Sequence, residues 1–258
     1  MKHAYHTPGG KYSALFADAL DQPHLLIAGA TGSGKSVIIN GLIYTALHRF
    51  PFGAGGARFI LIDPKRVELV QWSNAPHTIR YASEPQDILD ALFCAMDICE
   101  SRYQTMQGAG QRKYSGPDLY VIVDEFADLM TTQGRTVKPL VQRLAQIGRA
   151  ARVHLVIATQ TPIAKVIPTE IKCNFDSRFG LRARSAQDSR NILDHAGLEL
   201  LPRYGQAIYM TPAGETLYNV PMIPEDDLYR MAAWWEAQNP STPKRHRKQL
   251  CKFCGFKF

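Results

Sequence analysis

Gly29-Ala30-Thr31-Gly32-Ser33-Gly34-Lys35-Ser36 constrains this chain more than any other stretch. It satisfies G-x-x-x-x-G-K-[ST] and stands between the apolar run Leu25-Leu26-Ile27-Ala28 and Val37-Ile38-Ile39. Strand, glycine loop and helix, in that order, let backbone N–H groups turn inward around phosphate oxygens, while the helix N-terminus adds partial positive charge. Gly29, Thr31, Gly32, Ser33, Gly34, Lys35, Ser36 and Val37 are therefore the candidate nucleotide-binding residues. Lys35 has the reach for the β- and γ-phosphates of ATP, and the Ser36 hydroxyl suits Mg²⁺.

A phosphate cradle needs a second half to hydrolyse anything. Leu119-Tyr120-Val121-Ile122-Val123 reads as a strand covered on both faces, and it ends in Asp124-Glu125. Asp124 is the candidate for the Mg²⁺ shell and Glu125 for polarising the attacking water. Two acids ahead of Phe126-Ala127-Asp128-Leu129-Met130 also suit a helix N-terminus. Further strands are expected at His24 to Ala28, Arg58 to Ile62, His154 to Ala158 and Phe175 to Arg182, with helical patterns between the first four. That alternation predicts an α/β fold whose mostly parallel central sheet is flanked by helices.

Ser83-Glu84-Pro85-Gln86 reads as a capped start to an amphipathic helix carrying Leu89, Leu92, Met96, Cys99, Tyr103 and Met106. Val137, Leu140, Leu144 and Ile147 form a similar face. Phe52 to Gly56 reads as a connecting loop, Gln206 to Met210 and Thr216 to Val220 as a C-terminal β-hairpin around Thr211 to Glu215, and Asp226 to Ala237 as the last helix. The expected organisation is a lead-in over 1–22, one ATPase domain over 23–238 and a basic tail over 239–258.

The chain has 258 residues and a net charge of +7. Lys244, Arg245, Arg247, Lys248, Lys252 and Lys257 supply nearly all of that excess, so the tail suits nonspecific phosphate-backbone contact or simple solubility. No apolar stretch is long enough to span a membrane and no signal-peptide core follows Met1, which points to a cytoplasmic protein. Five cysteines, with Cys94, Cys99 and Cys173 expected as buried thiols, suit a reducing compartment. Cys251 and Cys254 have the spacing of half a zinc site, beside the alternative of an unmetallated tail.

Together with the loop at Pro23 to Ser36, the blocks Ile62-Asp63-Pro64-Lys65, Val123-Asp124-Glu125-Phe126-Ala127-Asp128-Leu129, Ala158-Thr159-Gln160 and Asp188-Ser189-Arg190-Asn191-Ile192-Leu193-Asp194 resemble the FtsK/SpoIIIE DNA translocases, in order across roughly residues 11 to 220. The resemblance implies a RecA-like P-loop motor that hydrolyses ATP between subunits of a hexameric ring around double-stranded DNA. It implies a γ-phosphate sensor at Gln160 and an arginine finger at Arg149 or Arg178. It also implies DNA-facing loops, in which Lys165 and Lys172, and Arg135 and Lys138 in the loop around Gly134, are candidate phosphate contacts.

Two departures qualify this picture. Thr161-Pro162 stands where the family usually has Arg-Pro, and the loop from Ile163 to Lys172 carries a proline and an acid where small residues are common. No amino-terminal membrane region and no winged-helix module after Val220 are recognisable. The expectation is a pared-down motor, from a plasmid, phage or conjugative element or excised from a larger protein, that relies on a recruiting partner. Secretion ATPases of the same family make protein export the alternative function.

Overall fold

The computed structural model describes residues 16–50 and 55–237. Its central strands form where the sequence is mostly apolar. β1 (His24–Ala28), β2 (Arg58–Ile62), β4 (Leu119–Val123), β5 (Val153–Thr159) and β6 (Ser177–Leu181) are almost wholly buried. Alternate residues point to opposite faces, as the two-residue period of a strand demands. Leu26, Ile60, Val121 and Leu155 enter one core with α3 (Pro85–Gly108) and α4 (Phe126–Ala151). Leu25, Leu61, Tyr120 and Val156 enter the other, with α1 (Ala17–Leu20), α2 (Lys35–Arg49) and the last described helix (Glu225–Ala237). The result is a three-layer α/β/α sandwich.

With β3 (Thr78–Ala82), β7 (Gln206–Thr211) and β8 (Gly214–Asn219), one eight-stranded sheet runs in the order β3-β2-β4-β5-β1-β6-β7-β8. Every pairing from β3 to β6 is parallel, whereas β7 and β8 add an antiparallel hairpin. The expected fold class is therefore present. β5 lies between the glycine-loop strand β1 and the acid-bearing strand β4, with Val123 paired to Ile157 and Ile27 to Ala158. The carboxyl ends of these three strands thus open onto one crevice, the place where ligands of parallel α/β sheets bind.

Several expectations change. β3 (Thr78–Ala82) was not foreseen: four of its five positions are only partly buried, because it is the sheet edge. α3 starts at Pro85 behind Glu84, with no side-chain cap. Gly134 lies not in a loop but inside α4, beside Gln133, whose φ of −136° kinks the helix. The hairpin ladder continues to Thr211 opposite Gly214, so its turn is Pro212-Ala213 rather than five residues. Cys94 and Cys99 are buried as expected, but Cys173 on the turn after α5 (Thr169–Lys172) is exposed. The basic tail with Cys251 and Cys254, and most of the lead-in, lie outside the described residues.

Candidate active site

The glycine loop leaves β1 by two hydrogen bonds to its neighbours: Gly29 N–H donates to Thr159 O at 3.4 Å and Ala30 N–H to Arg182 O at 2.8 Å. It turns back through Gly32 (φ +72°) and Gly34 (φ +106°), left-handed positions that glycine adopts without strain, and Gly34 caps α2. Space forbids a side chain at Gly29, where a Cβ would stand 2.8 Å from Leu181 Cβ. Lys35 is buried, and its Nζ donates to Gly29 O at 2.8 Å and Ala30 O at 2.9 Å, inside the curve of the loop. Burial pulls its pKa down to about 8, against the opposing fields of Glu125 and Asp124. The buried Ser33 hydroxyl has no hydrogen-bond partner among the described residues. A ligand rich in acceptor oxygens fits both observations.

Asp124 and Glu125 leave the end of β4 on opposite terms. Asp124 is 7% exposed, and burial followed by the fields of Asp63, Glu68 and Glu125 pushes its pKa up to about 7. A divalent cation beside it relieves that cost. Among the described residues no group of three or more His, Cys, Asp and Glu is arranged to hold a metal.

Glu125 takes a left-handed conformation (φ 57°) at the start of α4, which aims its carboxylate across the end of β5. Its Oε1 accepts from Thr159 Oγ1 and from Gln160 N–H, each at 3.2 Å, and its Oε2 from Lys65 Nζ at 3.1 Å. Lys65 also faces Asp128 at 4.0 Å, and the Glu125 pairing raises its pKa despite partial burial. The Thr31 hydroxyl donates to Gln160 Oε1 at 2.6 Å, tying the glycine loop to the strand end. Gln160 and Glu125 are thus brought beside the loop. The roles of Lys65 and Thr159 were not foreseen: both sit in the quoted sequence blocks, but only the sheet order reveals what they touch.

The two arginines lie elsewhere. Arg178 pairs in register with Leu26 midway along β1, is 8% exposed, and donates to Phe175 O (2.8 Å), Ile192 O (3.0 Å) and Asp194 Oδ2 (2.6 Å). Arg149 is exposed in the last turn of α4, lining a polar cleft with His24, Gln146, Asn174 and Ser177 at the amino ends of β1 and β6. That is the end of the sheet away from the glycine loop. Of the basic residues, Lys172 is paired with Asp194 at 2.6 Å and Lys138 with Glu170 at 3.7 Å. Arg135 and Lys165 are exposed, with no carboxylate partner among the described residues.

Phosphate loop, buried acid and hydrogen-bonded glutamate, hung from the carboxyl ends of β1, β4 and β5, define a protein of RecA-like fold with a P-loop nucleotide site. The fold is shared with the conjugation coupling protein TcpA of pCW3 in its monomer form with ATPγS (TM-score 0.74, 23% identity, 86% of this chain and 66% of that one). It is also shared with the cytoplasmic domain of the Type VII secretion ATPase EccC of Thermomonospora curvata (TM-score 0.70, 20% identity, 83% and 28%). The FtsK/SpoIIIE family model matches residues 8–118 and 111–164, and the chain belongs to that family. It is similar to the DNA translocase FtsK of Pseudomonas syringae pv. tomato (34% identical over 269 aligned positions, 90% of this chain and 33% of the relative). A second such relative is the DNA translocase FtsK of Rickettsia prowazekii (36% over 239 positions, 76% and 32%). The chain spans about a third of the length of these relatives.

Proposed function

We propose that residues 23–238 form the ATP-hydrolysing motor of a double-stranded DNA translocase that works as a ring in the cytoplasm. The observation that carries this reading is the Glu125 carboxylate, oriented by Thr159, Gln160 and Lys65 beside the Lys35 loop. In this reading Lys35 and the loop N–H groups hold the phosphates, and Ser36 and Asp124 hold Mg²⁺, which neutralises charge on the transferred phosphoryl group. Glu125 accepts the proton of the attacking water, and Gln160 reports the γ-phosphate through Thr31. Arg149 suits a finger supplied to a neighbouring subunit better than Arg178, whose guanidinium is committed inside its own subunit. Arg135 and Lys165 carry the backbone contact to DNA. The relatives named as DNA translocases, at 34% and 36% identity, favour DNA over a polypeptide cargo. Among the described residues no helix is long and apolar enough to cross a membrane.

The test is ATP turnover with and without double-stranded DNA in one preparation. Stimulation of several-fold is expected, Lys35→Ala abolishing nucleotide binding and Glu125→Gln keeping binding but stopping turnover. Turnover that ignores DNA, with no retention of DNA on a filter at low salt, would favour the protein-export alternative.

A further inference from the structure

The phosphate loop has an open side, and one cation from another part of the chain stands over it. Nη2 of Arg203 lies 3.7 Å from the point where a Cβ on Gly32 would stand. Arg203 belongs to the segment between the short 3₁₀ turn Leu198–Leu200 and β7, far in sequence from the glycine loop. We infer that Arg203 is a further phosphate-binding residue, closing the open side of the Gly29–Ser36 loop over the phosphate chain of a nucleoside triphosphate, and that Arg182 positions it. This rests on the glycine loop's being the nucleotide site.

Three observations converge on it. The first is placement. β6 ends against the loop, where Arg182 O accepts Ala30 N–H at 2.8 Å and Leu181 closes on Gly29 and Gly34. The Arg182 guanidinium then donates to Leu201 O at 3.1 Å, fixing the segment that carries Arg203 to the same strand end that supports the loop. One side chain therefore sets the spacing between the cradle and its cover.

The second is availability. Arg203 is exposed and has no carboxylate partner among the described residues; its guanidinium rests 5.1 Å from the centroid of the exposed Tyr204 ring. A planar fork of N–H donors lying over an aromatic ring keeps its donors free, and it matches phosphate oxygens two at a time.

The third is charge. Asp63, Glu68 and Glu125 all bear on the buried Asp124 at this crevice, and Lys65 is engaged with Glu125. With Lys65 committed to Glu125, Lys35, itself partly desolvated, is the loop's own cation for an incoming polyphosphate. A further cation at the mouth, with no carboxylate partner among the described residues, offsets the repulsion that the acids impose on the ligand.

The experiment uses the full chain, a fluorescent ATP analogue with Mg²⁺, and steady-state ATP turnover. Arg203→Ala should weaken nucleotide binding and raise KM by about tenfold with kcat unchanged, and Arg203→Lys should recover only part of the loss. Because the side chain is exposed, the melting temperature of the nucleotide-free protein should not move, while the upward shift on adding ATP shrinks. Arg182→Ala should raise KM by a smaller factor and add nothing to Arg203→Ala in the double variant, as expected of a residue acting through its neighbour. Wild-type affinity and KM in Arg203→Ala would overturn the inference, as would a fall in kcat at unchanged KM, the mark of a group felt only in the transition state. Lys35→Ala separates the two levels: if it binds ATP like the wild type, the reading of the loop itself has failed, whatever Arg203 does.

Discussion

Acid should loosen this protein at the foot of its phosphate-loop strand, through imidazoles that the fold keeps neutral. His24 opens β1 and is 4% exposed, and its Nδ1 accepts a hydrogen bond from Leu155 N–H at 3.0 Å, so that nitrogen carries no proton in the folded state. Burial, followed by the field of His154, pulls its pKa down from 6.5 to about 3. His77, fully buried edge-on to Trp235, is lowered to about 3 as well, by burial and then by Arg58. Both folded values lie below the unfolded one, so the unfolded chain takes up the protons first. Their contribution to stability is whole above pH of about 6.5 and drains as the pH falls toward 3. Each pH unit in that window costs about 1.4 kcal/mol per histidine, so acidification from 6.5 to about 5 should cost about 2 kcal/mol for each. His24→Asn isolates one of them, because the amide oxygen can still accept from Leu155 N–H but cannot titrate. Urea unfolding across this pH range is the assay. The variant should be less stable by about 1–2 kcal/mol near neutrality, from lost packing against Phe175, with the gap closing by about pH 5. Parallel stability curves for wild type and variant would refute the reasoning.

Three further outcomes follow from the geometry. Gly29→Ala forces a methyl to within 2.8 Å of Leu181 Cβ and 3.2 Å of Arg182 O, so ATP affinity should fall by at least about tenfold in an equilibrium titration. Arg149→Ala and Lys35→Ala should each be inactive alone yet regain part of the turnover when mixed, if the finger reaches a neighbour's site; no recovery would argue for a role within one subunit. Removing both Arg135 and Lys165 should reduce the slope of log affinity for DNA against log salt by about 2, measured by filter binding.

Much of the frame was legible because its physics is local. Parallel strands covered on both faces are mostly apolar, so Leu25 to Ala28 and Leu119 to Val123 announce themselves, and a glycine loop that ends in Lys35-Ser36 between strand and helix points to a phosphate cradle. What stayed hidden depends on neighbours remote in sequence. The edge strand at Thr78 needs too little burial to stand out, and Gly134 looks like a turn until Val137 and Val141 are seen packed in the α3–α4 layer. Lys65 and Glu125 are sixty residues apart, and nothing in either segment specifies their ion pair. Arg203 is hidden in the same way: its motif-free segment reaches the phosphate loop only because β6 delivers both to one end of the sheet.

Glu125 keeps a left-handed backbone although it bears a side chain. That conformation costs about 1–2 kcal/mol, a burden glycine would avoid. The chain retains a carboxylate at a corner where geometry alone would choose none, so the sharp exit from β4 works as a sprung mount, surrendering a little durability to hold one acid in place.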